Sequence, residues 1–477
     1  MKQHHQILSD AEKKLIHQQS LKVLVDVGVR FMSKKALRIL KQNGAKVDFD
    51  NQLVKIPEEM VAQALKTAPS SFVLGARNPE FDFLMPSSYT GYTLDGAATY
   101  ALDFNTGERR AATLEDLRDS LRIFEEMRLG TVNWPNVMVH DIPKNAREIR
   151  TIIETFKYSS KHMQNELHHR SEVPFLIEIL SALTGSEAAI KERKIFSVCY
   201  CTIPPLTHDK HMCEAYIDLC QYNVPILTFP MPACGSTGPA GLYSNIVVAN
   251  AEGLSSLVLF QMVNPGTPII FGDASGTTNF SNGGFLEGTT ETVLQSGAMG
   301  EMAHYYNIPN TQAGCLTDAK EVGAQATLEK MLTTLPLVLS GVDVINGIGE
   351  LETSQLLVRE QIVVDHEIAC LCERMQQGIN ISEETDFMED IQKAKPGGHY
   401  LQTASTIKMC RSQEFFLPQL ADRNTYEKWL SLGSPDLYSR AREKVTEILE
   451  APLKNPVPDA ALAVMEKVLA NAEQVLK

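Results

Sequence analysis

Cys199-Tyr200-Cys201 sets two thiols two residues apart near the end of a predicted strand, so both sulfurs leave the same face. Thiolates spaced this way are a zinc-type donor pair. No third ligand stands near them in the sequence. His211-Met212-Cys213 has an H-x-C spacing, but it falls in a predicted helix, where residues two apart do not converge. Cys370-Leu371-Cys372 is helical as well. No metal is therefore expected in this chain. Glu166, followed by His168-His169, offers a carboxylate and an imidazole for acid–base work. Adjacent histidines point apart, so Glu166 and His168 form the catalytic candidate pair. No G-x-S-x-G elbow is present, which argues against a serine hydrolase.

A second signal is Ala233-Cys234-Gly235-Ser236-Thr237-Gly238-Pro239, a glycine-rich turn ahead of a predicted helix. No lysine follows, so the nucleotide-binding P-loop pattern fails. With Pro239 at the first helical position, free N–H groups would meet a carboxylate or a polar cofactor edge. Gly235, Ser236 and Gly238 are the cofactor-side candidates, and Thr237 a substrate contact. The plainer alternative is a tight turn that needs glycine for its geometry.

These residues must be positioned by elements, and the elements repeat. Short apolar runs recur at 130–134, 161–166, 195–201, 224–229, 267–272, 310–314, 342–347 and 398–401, each followed by a loop and a helical pattern. About eight strand–helix units over such a span match a (β/α)8, or TIM, barrel. A doubly wound sheet is the alternative, weakened by the count of units and by the lack of a G-x-G-x-x-G opening. Residues 1–115 read as an N-terminal α+β extension, 116–425 as the barrel and 426–477 as a C-terminal tail of exposed helices.

In a barrel, chemistry belongs to the strand ends. These supply Trp134, Phe229, Phe271, Glu166, Asp273, Cys315 and Asn346, a set rich in aromatic and poor in basic residues. Aromatic faces with a carboxylate nearby suit a quaternary ammonium group, which cannot donate a hydrogen bond. One distant carboxylate is expected rather than a ring of acids. Tyr92, Asp95 and Tyr100, ahead of the predicted barrel, are expected to close over its mouth. Aromatics at strand ends also close barrels without binding anything.

The composition narrows the class. The 477 residues carry a formal charge of −14 with no basic patch, which excludes nucleic acid and anionic membrane as partners. The first residues lack an apolar signal segment, and the apolar run Leu254–Val263 is too short to span a bilayer. Nine cysteines without a disulfide framework fit reduced thiols in a cytoplasm.

The collinear series LDGAATYALDFNTGERRAATLEDL, MPACGSTGPAG, NAEGLSSLVLFQMVNPGTPIIFG, AGCLTDAKEVGAQATLEKMLTTL, INGIGELETS and PGGHYL resembles the trimethylamine methyltransferase family. The resemblance implies a TIM-barrel enzyme that moves a methyl group from an amine to the cob(I)amide of a separate small corrinoid protein. Founding members carry pyrrolysine, whose place falls near Gly314-Cys315-Leu316 here. Its lack implies a quaternary amine substrate: glycine betaine, proline betaine, carnitine or γ-butyrobetaine. Asn346 stands where glycine betaine relatives have a histidine, which implies a different betaine, its carboxylate met by Asn346, Thr237 or the turn at Gly238. The expected partners are the amine and the cognate corrinoid protein, with the chain a homo-oligomer. The alternatives are another barrel enzyme, such as a zinc-dependent methyltransferase, and a non-catalytic betaine-binding module.

Overall fold

The computed structural model describes residues 5–96, 98–412 and 414–476. Eight parallel strands close into a barrel in chain order. They are β1 (Gly91–Leu94), β2 (Gly130–Asn133), β3 (His162–Asn165), β4 (Phe196–Tyr200), β5 (Ile226–Thr228), β6 (Ile269–Asp273), β7 (Asn310–Ala313) and β8 (Val344–Ile348). Each is followed by a main helix: α1 (Leu114–Glu125), α2 (Arg147–Tyr158), α3 (Val173–Thr184), α4 (Lys210–Leu219), α5 (Leu242–Val263), α6 (Thr290–Tyr306), α7 (Ala324–Ser340) and α8 (Arg359–Gln377). Strands covered on both faces read as near-continuous buried runs, which is how the sequence marks them. Local capping starts the helices. Before α1, the Thr113 hydroxyl accepts from Asp116 N–H while the Asp116 carboxylate accepts from Thr113 N–H.

The seam of the barrel departs from the expected boundaries. The first strand is Gly91–Leu94, inside the predicted leader, and residues 398–401 form no strand. Both edges of β1 carry a register irregularity, at Tyr92/Thr93 against β2 and at Asn346/Ile348 against β8. Such bulges interrupt regular alternation and often sit beside functional sites.

The leader does two jobs. Its hairpin Phe72–Leu74/Phe83–Met85 plugs the N-terminal end of the barrel, packing Phe72, Leu74, Phe83 and Met85 against interior residues such as Val132, Leu227 and Ile270. The rest covers α5, with Ser20 donating to Val247 O and Asn250 donating to Ser20 Oγ. That cover explains why α5, the one unbroken helix among the described residues apolar and long enough to cross a membrane, is apolar all round: it is buried. The C-terminal helices are amphipathic rather than free. Leu437–Glu450 buries Ala441, Val445 and Ile448 against α8, and Asp459–Val475 buries Ala461, Met465, Val468 and Ala472 against α3.

Candidate active site

The C-terminal mouth of the barrel holds a cavity of about 280 Å³. Strand alternation decides what reaches it. Trp134 follows β2, Glu166 follows β3, Cys201 follows β4 and Phe229 follows β5, while Ala313 ends β7 and Asn346 lies on β8. All six line the cavity, as does Asp95 after β1. Trp134 and Phe229 meet edge to face, with ring centroids 5.9 Å apart at 65°. Gly96 lets the chain cross the indole, since a Cβ there would stand 2.6 Å from Trp134 Cε2. His168 lies in an adjoining recess of about 80 Å³ that also exposes Trp134, Asn165 and Glu166. Its Nε2 is 3.7 Å from Glu166 Oε2.

Several expected residues point elsewhere. Phe271, one step out of phase with Ile270 and Gly272, faces the helical layer and meets Tyr306 at 5.6 Å. Asp273 shares that parity. It accepts from Ser275 N–H at 3.0 Å and Ser275 Oγ at 2.6 Å, and burial raises its carboxyl to about 7. Tyr92 is outward on β1, packed in the cluster that includes Cys315 and Cys372. Cys315 has φ +55°, which turns its side chain away from the mouth and gives the lining position to Leu316. Tyr100 belongs to a small sheet beside the mouth and lies under the Arg109 guanidinium, 3.4 Å from the ring centroid.

The glycine turn spends its N–H groups at 233, 235, 236 and 238 on itself. Gly235 N–H donates to Gly238 O, and both Ser236 N–H and Gly238 N–H donate to Ala233 O. Thr237 Oγ1 is taken by Ala233 N–H at 2.9 Å. Helix α5 begins only at Leu242, so Pro239 is not its first residue. Glycine is needed at 235 for φ +88° and at 238 because a Cβ would meet Asn245 Oδ1.

The loops after β6 and β8, with the first turn of α6, supply what the sequence reading missed: Phe285 and Glu287, Thr292 on α6, and Ser354 and Gln355 all line the cavity. Position was the available signal, because these residues lie between a barrel strand and its helix or, for Thr292, in that helix's first turn. The run Glu352-Thr353-Ser354 is left-handed throughout, with φ between +55° and +58°. It delivers the Ser354 hydroxyl to Asp95 and to Glu287, the latter at 2.8 Å. Asn346 Nδ2 donates to Asp95 Oδ1 at 3.0 Å, while its Oδ1 is buried without a hydrogen-bond partner among the described residues. Burial, then the charge of Asp95, raises Glu287 to about 8. Glu350, just behind, is buried, and burial and the charges of the same acids push its carboxyl well up. The mouth therefore carries several acids instead of one, with Glu287 largely protonated at neutral pH.

Glu166, Cys199 and Cys201 bring a carboxylate oxygen and two sulfurs within 4.8 Å of one another. The sulfurs are 3.8 Å apart and Cys201 Sγ is 3.7 Å from Glu166 Oε1. A tetrahedral ion with metal–sulfur bonds of about 2.3 Å holds two thiolates about 3.8 Å apart. The third donor absent from the neighbouring sequence thus comes from the preceding strand's end.

A family model described as trimethylamine methyltransferase matches residues 2–474. The chain belongs to the trimethylamine methyltransferase family. It is a methyltransferase, as its curated relatives are. The trimethylamine methyltransferase MttB of Desulfitobacterium hafniense is 29% identical over 98% of this chain and 93% of its own. The glycine betaine methyltransferase of the same species, strain Y51, is 29% identical over 96% of each chain. The trimethylamine methyltransferase MttB of Methanosarcina barkeri, strain Fusaro, is 30% identical over 98% of this chain and 95% of its own. The family's barrel also appears in the solved hydroxylamine complex of MtmB, with TM-score 0.50 and 12% identity over 98% of this chain and 93% of that one.

Proposed function

We propose that this family member demethylates a quaternary amine of the betaine type and passes the methyl group to the cob(I)amide of a separate corrinoid protein. The observation that carries this reading is the Trp134–Phe229 pair, joined by Phe285, in a mouth cavity with acids and no lysine, arginine or histidine among its lining residues. Aromatic faces and nearby carboxyls hold a cation that has no proton to donate.

The substrate nitrogen is already positive. When the C–N bond breaks, its electron pair stays with the departing tertiary amine, and the methyl carbon bonds to the cobalt. The reduced corrinoid supplies the nucleophile. The chain's share is to orient the ammonium, exclude water and keep the field mild. Positive charge leaves the amine in the transition state, so fully ionised acids would favour the ground state. The raised carboxyl of Glu287 limits that penalty.

Mixing the protein with reduced cob(I)alamin and the four betaines, with trimethylamine as control, tests the reading by the absorbance of methylcobalamin. Methylcobalamin formed with a betaine supports it. If neither free cobalamin nor the cognate corrinoid protein is methylated by any betaine, the reading fails.

One observation favours a second reading, a zinc-dependent methyltransferase: the spacing of Glu166, Cys199 and Cys201. Near-stoichiometric zinc in purified protein, lost in Cys201→Ser, would favour it. Metal-free protein with full activity would dismiss it.

A further inference from the structure

Trp134 lines two adjoining spaces, and Arg147 lines only one of them. On one side is the main cavity, with Asp95 and Glu287. On the other is the recess, which holds Arg147, the first residue of α2, and Asn165, the last residue of β3. Arg147 Nε is buried without a hydrogen-bond partner, and its guanidinium makes no ion pair among the described residues. Asn165 is 5% exposed, and its Nδ2 is likewise buried and unpartnered. Two buried donors on separate elements, meeting at one recess, leave a desolvation cost that a bound acceptor would remove.

We propose that this recess is the carboxylate subsite of a zwitterionic amine, which straddles Trp134 with its ammonium toward Phe229 and its carboxylate toward Arg147 and Asn165. The inference rests on the reading of the mouth cavity as the amine site. It replaces the donors expected from sequence, since Asn346 Nδ2 donates to Asp95 and Thr237 lines neither the cavity nor the recess. Arginine suits the role because its planar fork matches a carboxylate. Glu148 and Glu166 also line the recess. A bare anion is therefore disfavoured there, and a ligand carrying both charges is selected.

Titration calorimetry on the full chain tests this with glycine betaine, proline betaine, carnitine and γ-butyrobetaine, against choline and tetramethylammonium as carboxylate-free probes. The best betaine should bind at least about tenfold tighter than either probe. Arg147→Gln should remove most of that margin and leave tetramethylammonium binding within about twofold. Asn165→Asp, which sets a negative charge against the carboxylate, should do the same and covers the case in which the arginine variant does not fold. Equal losses for both ligand classes, or no loss for betaines, would overturn the subsite. Wild-type protein that binds and demethylates only the carboxylate-free probes would overturn the subsite and leave quaternary amine demethylation standing. Binding and turnover of neither class would sink both.

Discussion

Behind β8, Lys330 and Asp365 are fully buried and satisfy one another, while at the mouth Asp95, Glu287 and Glu350 gather with no cation within ion-pair distance among the described residues. Lys330 Nζ donates to Asp365 Oδ2 at 2.9 Å, to Cys315 O at 2.7 Å and to Gly347 O at 2.9 Å. Asp365 also accepts from Gly349 N–H and Gln361. Every strong group there has a partner inside the protein. The mouth is the reverse case, with carboxyls kept near one another and raised by burial. The first arrangement holds the ends of β7 and β8 in place. The second leaves unmet demand for a positive ligand, which is what a binding site costs the apo protein.

The largest effect should come from breaking the paired region. Lys330→Met leaves Asp365 buried alone and should destabilise the protein by about 3–5 kcal/mol, read from urea unfolding. Glu287→Gln replaces a raised carboxyl that has no cationic partner among the described residues and should leave stability unchanged or raised in the same experiment. Similar losses in the two variants would erase the contrast.

Proton linkage sharpens it next. The folded protein keeps a proton on Glu287 up to about 8, whereas the unfolded chain gives it up near 4.5. Between those values the native state binds more protons, so stability falls as pH rises. Asp273 and Glu252, each raised to about 7 by burial, add to the fall over the lower part of that window. Affinity for a quaternary ammonium should move the other way, rising with pH toward about 8 as Glu287 ionises. Glu287→Gln should flatten that rise in a calorimetric pH series.

A smaller effect is expected from the cage. Trp134→Ala should weaken ammonium binding by about 1–2 kcal/mol. Folded protein with unchanged affinity would take the indole out of the site. The smallest effect belongs to the glycine turn. Ser236→Ala should leave substrate binding within error, because its backbone N–H is spent inside the turn and its hydroxyl meets only Thr278 among the described residues.

Sequence showed the barrel through the rhythm of its buried strands, and it named Trp134, Glu166, Phe229 and Asn346, which line the mouth cavity because the first three follow strands and the fourth lies on one. The missed strand, Gly91–Leu94, is short and sits among polar residues and glycines, with register irregularities on both edges. Tyr92 was expected ahead of the barrel because that strand was missed, and Phe271 and Asp273 differ by parity: a one-residue error in phase exchanges the inside of a strand for its outside. Cys315 failed because a single positive φ re-aims its side chain, which no alternation pattern records. Arg147 opens α2 after a long loop and Glu287 lies within one, where spacing in sequence says little about position in space. The Cys199–Cys201 pair was legible, but its partner Glu166 is 35 residues upstream of Cys201.

The seam between β8 and β1 has a consequence for synthesis. Asp95 is made 251 residues before Asn346, the side chain that will hydrogen-bond to it. Until Ile348 has left the ribosome, the nascent sheet has two open edges, and its mouth acids and aromatics have no fixed arrangement. A reading frame cut anywhere upstream of that point therefore encodes an unclosed, association-prone sheet instead of a smaller enzyme.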